Sequence, residues 1–378
     1  MGRHEKIALL TFLCIFAGCI NSLAMKYQDN QCVKNCDSKS EKKHKLFDQP
    51  SLQTLQMFLG EMLCFLVYRF SRYWARAKQD AESEYVSLGG MDTSENQILN
   101  KAQVIIPSLC DSLATAMMCL GLVYTPVSLY QMSRGAIVLF VALLSVIFLK
   151  HKITKLQWIS LSIVAIGVAL LGYSGSSHSQ EPDAPPGSTN RVTVGIIFIL
   201  LGQISQAVQY VVEERLMSSQ SIVPLRLVYL EGFWGSLIVL GSMTTMHLIF
   251  GAVDSSSEFE VSPFNMVEAF KQYFHSQNVM FASVIIMFSI AVFNFSGISL
   301  TSELSATSRS TIDTSRTLLV WLFAIYFGWE AFYFSQLLGF VTLVFGTLSF
   351  NGVIEPENWT IIPARLKSKR SGFLDQNV

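Results

Sequence analysis

The amino-acid sequence predicts an all-α membrane protein in which ten transmembrane helices form two inverted five-helix repeats. Hydrophobic residues make up 51% of the 378 residues and charged residues only 14%, and the mean hydropathy is +0.41. A soluble domain of this length does not need so apolar a composition. Apolar runs that can cross about 30 Å of hydrocarbon recur along the chain. They lie near 7–25, 52–70, 103–124, 127–149, 155–173, 192–212, 227–250, 279–299, 308–327 and 331–351.

The first run has the basic start and the apolar middle of a secretory signal peptide. No small-residue cleavage site precedes Lys26, however, and Asn21 and Ser22 continue the face of the helix. We therefore expect this run to be kept as the first span.

Lysine and arginine residues in the connecting loops predict the orientation of the chain. Of the 27 lysine and arginine residues, 16 lie on the side of the N terminus, 8 lie on the opposite side and three lie within the predicted spans. Because such residues accumulate on the cytosolic side, we expect both termini in the cytosol and the loop 26–49 in the lumen. Cys32 and Cys36 lie in this loop, where a disulfide and two free thiols are both open alternatives.

A Ser/Pro/Gly-rich linker at 174–190 divides the chain into five spans at 1–173 and five at 191–352, followed by a cytosolic tail at 353–378. Sliding one half over the other by 179 residues places Arg134 on Asp313. Since each half has an odd number of spans, the second copy must enter the membrane from the opposite side. Inverted repeats of this kind are a recurring architecture of transporters, with the solute site near the midplane.

The ninth run carries charges in the middle of the predicted membrane. Arg309, Asp313 and Arg316 fall on one helical face, where opposite signs can pair. Ionisable side chains in a bilayer need a partner or a water-filled cavity, so a solute or ion path is the expected role. A polar cluster that only packs helices together is the alternative.

Other polar side chains fall within the predicted spans, and together they are too numerous to face lipid. For each one alone, an interhelical hydrogen bond is the simpler interpretation. We interpret Glu213 and Glu214, at the cytosolic end of the sixth span, as solvated. The candidate pathway residues are Asn21, Glu61, Asp111, Gln131, Arg134, Gln206, Glu231, Asn294, Arg309, Asp313 and Arg316.

The fifth and tenth spans carry no charge within their apolar runs and are rich in small residues. Such surfaces suit close helix packing, so these spans scaffold each half or form a homodimer seam. Around the spans, the membrane lipid is the expected surrounding partner.

The sequence argues against several other classes of protein. It contains no GxSxG, GxGD or HExxH motif for an intramembrane enzyme. Its seven cysteines and six histidines have no spacing suited to zinc, so no metal or other cofactor is expected. A formal net charge of zero gives no basic surface for nucleic acid.

Several strings resemble the drug/metabolite transporter (EamA-like) superfamily, and most closely the F branch of solute carrier family 35. They are FLGE at 58–61, CD at 110–111, QMSRG at 131–135, EERL at 213–216, LEGFWG at 230–235, FNFSGIS at 293–299, TSELSATSRSTIDTSR at 301–316 and FGWE at 327–330. The resemblance implies a central cavity lined by spans 1–4 and 6–9, and a location in an endomembrane such as the vacuole, lysosome or Golgi. The FYNN-like and GALNK-like motifs of nucleotide-sugar carriers do not occur in this chain.

The predicted function is therefore alternating-access transport of a small polar solute. Four carboxylates, those of Glu61, Asp111, Glu231 and Asp313, face three arginines, and this near balance suits a zwitterion, an organic cation or a proton-coupled solute. Asp313, with an arginine one turn away on each side, is the expected counter-ion, and Glu61 and Asp111 are the expected proton carriers. A nucleotide-sugar-type carrier and a non-transporting scaffold or receptor are the alternatives.

Overall fold

The computed structural model describes residues 2–34, 45–47, 49–82, 101–125, 130, 133–178, 188–220, 222–253, 265–327 and 334–351. The linker 174–190 lies mostly outside these ranges, and so do Cys36, Gln131 and the tail 353–378. Within them the secondary structure is almost entirely helical, and the exception is a short antiparallel pair of strands, β1 (Cys32–Lys34) and β2 (Lys45–Leu46). Cys32 is disulfide-bonded, and the other described cysteines are free.

The helices follow the predicted apolar runs, and each run overlaps one of them. They are α1 (Arg3–Asp29), α2 (Pro50–Glu82), α3 (Lys101–Tyr124), a 3-10 turn (Arg134–Ala136) that leads into α4 (Ile137–Phe148), α5 (Lys155–His178), α6 (Ser188–Gln220), α7 (Pro224–Val253), α8 (Met266–His275), α9 (Gln277–Glu303), α10 (Ala306–Tyr326) and α11 (Phe334–Asn351).

Five of the described helices, α1, α3, α6, α7 and α9, are long and apolar enough to cross a membrane. Shorter apolar segments lie at Arg134–Phe148, Lys155–Leu171 and Leu337–Phe350. The chain is therefore an all-α membrane protein, as predicted. Its crossing number of ten and its inverted repeat stay predictions.

Helix α8 is an amphipathic element that the sequence analysis did not predict. Asn265 caps it by accepting a hydrogen bond from the backbone N–H of Glu268, at 3.1 Å. Ala269 and Gln272 face inward, whereas Val267 and Phe274 are exposed. The cap and the acidic third residue form a start signal that was readable in the sequence.

The chain divides into two compact units. Unit 1 comprises Met1–Leu23, Cys110–Gln220 and Ser296–Val378, and unit 2 comprises Ala24–Leu109 and Ser221–Phe295.

In unit 1, α5 and α11 pack through small residues. A Cβ placed on Gly167 would lie 2.6 Å from the backbone nitrogen of Leu343, and one on Gly346 would lie 2.8 Å from the backbone nitrogen of Val164. Only glycine allows so close an approach. The small residues of the predicted fifth and tenth spans therefore pack against each other within one chain, and a homodimer seam would have to use the opposite faces of α5 and α11.

In unit 2, α2 packs against α7 in a similar way. A Cβ on Gly235 would lie 2.4 Å from the ring of Phe58, which is buried in a core cluster with Leu55 and Val239. The ring thus occupies the space that the missing side chain leaves. Phe58 and Gly235 lie one helical turn from Glu61 and Glu231, so this contact also fixes the positions of these two carboxylates within unit 2.

Candidate functional site

Helix α10 carries the charged face that the sequence singled out. Ser305 begins the helix from an extended conformation, and its hydroxyl accepts the backbone N–H of Ser308 at 3.2 Å. Arg309, Asp313 and Arg316 all lie on the inner face, each no more than 4% exposed. Charged groups so deeply buried require partners.

Arg316 is held by four contacts within unit 1. Its Nε and Nη2 atoms each lie 2.7 Å from Oδ1 of Asp313. Its Nη1 atom donates to the Ser22 hydroxyl at 2.8 Å and to the Gly18 carbonyl at 3.3 Å. This guanidinium therefore joins α10 to the middle of α1, and Asp313 is its counter-ion.

Arg309 pairs with a residue on a different helix. Its Nη1 atom donates to Oε2 of Glu213 on α6, and its guanidinium carbon lies 4.0 Å from the centre of the Tyr210 ring. Gly297 on α9 leaves room for it, because a Cβ there would lie 2.8 Å from Nε of Arg309. Arg309 is thus fixed by an ion pair and by a cation–π contact.

The interpretation of Glu213 and Glu214 as solvated residues is wrong. Glu213 is fully buried and neutralises Arg309. Glu214 accepts the backbone N–H of Ala306, at the start of α10, at 2.7 Å. Its other oxygen lies 3.5 Å from Nε2 of His151, in the loop between α4 and α5. Burial lowers the pKa of this histidine.

Two further charges of unit 1 complete what we call the charged cluster. It consists of Asp111, Arg134, Glu213, Arg309, Asp313 and Arg316. Asp111 on α3 interacts electrostatically with Glu213, Arg309 and Arg134, and Asp313 also interacts with Arg134. Asp111 and Arg134 form no ion pair within the described part of the chain.

Arg134 is held differently from the other two arginines. It begins the 3-10 turn before α4, and its guanidinium carbon lies 6.0 Å from the centre of the Tyr130 ring. Its Nε atom is buried and finds no hydrogen-bond acceptor among the residues that the structure describes. Arg134 therefore has donor capacity to spare beside an aromatic face.

Amide side chains of unit 1 also have spare hydrogen-bonding capacity. Oδ1 of Asn21 and Oε1 of Gln206 and Gln209 are buried without a donor in the described ranges. Buried amides are normally satisfied, so such groups suggest sites for water or solute. Asn21 and Gln206 were predicted site residues, and Gln209 lies one helical turn from Gln206.

Unit 2 holds three predicted residues on its own. Nδ2 of Asn294 on α9 donates to Oε1 of Glu61 on α2 at 2.5 Å. Glu231 on α7 is buried, and its backbone carbonyl accepts a hydrogen bond from the Ser108 hydroxyl at 3.3 Å. Unit 2 thus places a carboxylate beside a neutral amide, in contrast to the arginine pairs of unit 1.

A glutamine network in unit 2 was missed by the sequence analysis. Gln28 Nε2 donates to the Ser283 hydroxyl at 2.7 Å, and its Oε1 accepts from Gln56 at 2.8 Å and from Gln53 at 3.2 Å. The three-residue spacing of Gln53 and Gln56 on one helix was the available signal. The network ties together the ends of α1, α2 and α9 within that unit.

Among the described residues, no group of three or more histidine, cysteine, aspartate or glutamate side chains could hold a metal ion. The chemistry available in unit 1 is instead that of alternating positive and negative groups flanked by amides. Such a cluster has the chemistry to hold a small polar molecule by charge and hydrogen bonding.

Comparison with known proteins gives the family of the chain. Residues 7–247 match a family model described as nucleotide-sugar transporter. Solute carrier family 35 member F6 of human is 32% identical over 353 residues, which cover 92% of this chain and 89% of the relative. An uncharacterized protein of Schizosaccharomyces pombe is 33% identical and is covered over 98% of its length.

The comparison also gives a more distant relative and a solved structure with a similar fold. A UDP-N-acetylglucosamine transporter of rat is 29% identical over 48% of this chain and 53% of its own. A crystal structure that is 12% identical has a similar fold, with a TM-score of 0.54 over 92% of this chain and 97% of the other. The human and rat relatives are named as a solute carrier and a transporter and not as enzymes, which confirms the prediction of a membrane solute transporter. The chain therefore belongs to the nucleotide-sugar transporter family and, within it, to the F branch of solute carrier family 35.

Proposed function

We propose that the protein moves a small zwitterionic or cationic solute across a membrane by alternating access. The observation that carries this proposal is the pairing inside the charged cluster. Two arginines, Arg309 and Arg316, are each neutralised by a carboxylate, Glu213 and Asp313 respectively. This pairing leaves one positive and one negative group, Arg134 and Asp111, to act on a solute.

A zwitterion is the solute that matches the two remaining groups, Arg134 and Asp111. Its cationic group would approach Asp111, and its carboxylate would take the planar fork of Arg134, which suits bidentate binding of carboxylates. The six charges of the cluster sum to zero, so binding a neutral zwitterion leaves no uncompensated charge in a region of low dielectric.

A nucleotide-sugar substrate is the second candidate, favoured by the family model that matches residues 7–247. A nucleotide diphosphate carries several negative charges, which the cluster does not offset. The buried amides of Asn21 and Gln206 would serve either solute.

We further propose the ten-span, inverted-repeat topology, with both termini in the cytosol. Contacts between helix ends within unit 1 support it. Lys6, near the start of α1, lies 2.5 Å from Glu303, at the end of α9. Gln157, near the start of α5, donates to the carbonyl of Phe350, near the end of α11. Each contact joins two ends that this topology assigns to the cytosolic side.

Transport is proposed to be coupled to protons at Glu61 or Asp111. Asp313 is held at 2.7 Å by two nitrogens of Arg316, which favours its carboxylate form and a structural role. Glu61 is hydrogen-bonded by a neutral amide, and Asp111 has no ion pair in the described ranges. The carboxyl groups of Glu61 and Asp111 are therefore expected to exchange protons more readily than that of Asp313. An acidic endomembrane compartment, such as a vacuole or lysosome, would drive this exchange, and the Golgi is the other location we consider.

The test is uptake into proteoliposomes from a mixed metabolite pool, read by mass spectrometry. Enrichment of zwitterions or organic cations that is lost in Arg134→Gln and reduced in Asp111→Asn supports the proposal. Lys152→Gln, at an exposed loop position, is the matched control and keeps uptake. Enrichment of nucleotide sugars would favour the second candidate. If the vesicles enrich no solute, and both variants still bind the same protein partners as the unmodified protein, the chain is a scaffold and the transport proposal is wrong.

The same vesicles test coupling through the pH dependence of uptake. Glu61→Gln or Asp111→Asn should abolish this dependence while leaving part of the solute exchange. If both variants keep the pH dependence of the unmodified protein, neither residue is the coupling site.

A further inference from the structure

A groove separate from the charged cluster lies in unit 2, between residues 65–73 of α2 and the start of α7. Its volume is about 600 Å³. Three arginines line it, Arg69, Arg72 and Arg226, and none of its described lining residues is acidic. A concave surface with three positive charges and no negative charge is suited to an anion.

Aromatic rings hold these arginines at the wall of the groove. The guanidinium carbon of Arg69 lies 6.0 Å from the centre of the Phe65 ring, and that of Arg72 lies 5.9 Å from the centre of the Tyr68 ring. Tyr229 packs against both rings, with centroid distances of 5.3 and 5.4 Å. Arginines supported in this way lose less side-chain freedom when they bind a ligand.

Arg226, on α7, is hydrogen-bonded with Tyr229 and carries one further donor that no described residue accepts. Its Nε atom is buried and has no hydrogen-bond acceptor among the described residues. A buried donor without an acceptor is costly, and an anionic oxygen in the groove would satisfy it. The third arginine thus points to a ligand independently of the overall charge.

The surroundings of the groove indicate which anion it binds. The outer face of α2 exposes large apolar side chains, with Leu66 63%, Phe70 64% and Trp74 66% exposed. Aromatic residues beside arginines at the end of a membrane helix are typical of the lipid head-group region. An occupant of this groove therefore has an acyl tail against α2 as well as a charged head among the arginines.

We propose that this groove binds an anionic phospholipid whose head group carries a phosphate monoester. Such a phosphate offers up to two negative charges and three acceptor oxygens, which match the forked donors of Arg69, Arg72 and Arg226. A lipid with a single diester phosphate or a carboxylate offers less charge and fewer acceptors. Basic pockets at helix ends recognise phosphorylated lipid head groups by this chemistry.

The test uses the full chain purified in detergent and native mass spectrometry of bound lipid. The probes are a phosphatidylinositol monophosphate, phosphatidylserine and phosphatidylcholine. We expect the phosphatidylinositol monophosphate to bind most tightly. Each of Arg69→Gln, Arg72→Gln and Arg226→Gln should weaken its binding about fivefold, the effect of removing one arginine near a membrane surface.

Arg215→Gln is the matched control, because Arg215 is an exposed arginine of α6 outside the groove. An equal loss in this variant would show unspecific charge attraction and overturn the proposal. Arg226→Lys keeps the charge but not the fork, so partial retention of binding supports the assignment even if Arg226→Gln folds poorly. No change in any of the groove variants would overturn it.

Competition on the unmodified protein separates a lipid from a soluble anion. Inorganic phosphate and free inositol monophosphate share the head-group chemistry but have no tail. If either displaces the bound lipid at equal concentration, the groove is a site for soluble phosphate and the lipid proposal is wrong. Resistance to both supports a site that needs the tail as well.

Discussion

At the residue scale, the ion pair between Arg309 and Glu213 gives the first prediction. Glu213→Gln leaves the guanidinium of Arg309 buried without its counter-charge. Breaking a buried ion pair from one side costs about 3–5 kcal/mol. We therefore expect Glu213→Gln to lower the apparent Tm of the detergent-solubilised protein by roughly 10 °C, as measured by thermal denaturation.

Two further variants serve as controls for the thermal denaturation of Glu213→Gln. Glu5→Gln removes an exposed carboxylate from α1 and should leave the Tm nearly unchanged. The double variant Glu213→Gln/Arg309→Gln buries no charge at this position and should be more stable than Glu213→Gln alone. If the double variant is as unstable as the sum of both single variants, the two side chains are not coupled.

His151 gives a prediction about pH. Burial lowers its pKa in the folded chain, so below about pH 6.5 the unfolded chain binds more protons than the folded chain. The stability that His151 contributes is therefore present above that pH and is lost as the pH falls through the lowered pKa. Between about pH 8 and pH 5, His151→Gln should lose less stability than the unmodified protein.

Glu214 acts in the opposite direction on this histidine, since it lies 3.5 Å away and favours the protonated imidazole. A larger loss of stability in His151→Gln on acidification would mean that this attraction outweighs burial. Thermal denaturation at several pH values distinguishes the two results, and Lys152→Gln, at the next position, serves as the control.

The sequence could predict the ion-pair partner of Arg316 but not that of Arg309. The contact between Asp313 and Arg316 follows from a three-residue spacing on one helix, so the sequence could predict it. The partner of Arg309 is 96 residues away on α6. Glu213 lies beside a second glutamate near a helix end, a pattern typical of solvated residues. Only tertiary packing decides between these interpretations.

At the scale of elements, the packing of α5 against α11 can be tested at Gly167. In Gly167→Ala the new Cβ would lie 2.6 Å from the backbone nitrogen of Leu343, so the two helices must move apart. Overpacking of this kind costs about 1–3 kcal/mol. The variant should therefore unfold at a lower temperature than the parent protein.

Gly241 on α7 provides the matched control, because a Cβ placed there meets nothing within 4 Å. Alanine is the better helix former by about 1 kcal/mol, so Gly241→Ala should be neutral or slightly stabilising. If Gly167→Ala and Gly241→Ala unfold at the same temperature, α5 and α11 are not in close contact at Gly167.

The ends of a helix could be predicted where an apolar run defined them. Where no apolar run marked a helix or its end, the prediction failed. The run at 52–70 lies in α2, but the helix continues to Glu82 on side chains that suit helices without being apolar. Helix α8 has only ten residues, and four of them, Glu268, Lys271, Gln272 and His275, are polar or charged, so a search for membrane spans passes over it. The choice of helix partners, such as α5 with α11, depends on long-range packing that no local pattern contains.

At the scale of the whole molecule, the sequence predicted the class of the fold more fully than its topology. Apolar composition and run length are enough to identify a helical membrane protein. The number of crossings is harder, because segments such as Lys155–Leu171 and Leu337–Phe350 are apolar but short. Whether they cross depends on tilt and on their neighbours, which run length does not encode.

The orientation of the chain provides the last prediction, through four introduced cysteines at exposed positions. With ten crossings, a membrane-impermeant maleimide should label Tyr27→Cys and Tyr173→Cys from the lumen, and Ser71→Cys and Lys152→Cys from the cytosol. Lysine and arginine on the N-terminal side set this orientation. The measurement is labelling of sealed vesicles from each side, with the parent protein as the background for its own cysteines.

Two of the four positions decide the number of crossings. If only α1, α3, α6, α7 and α9 crossed the membrane, the labelling of Tyr27→Cys and Lys152→Cys would be unchanged, so these two variants calibrate the sidedness of the vesicles. Ser71→Cys, after α2, would then be reached from the lumen, and Tyr173→Cys, in α5, from the cytosol. That exchange of sides would contradict the ten-span topology, and with it the inverted repeat that relates Arg134 to Asp313.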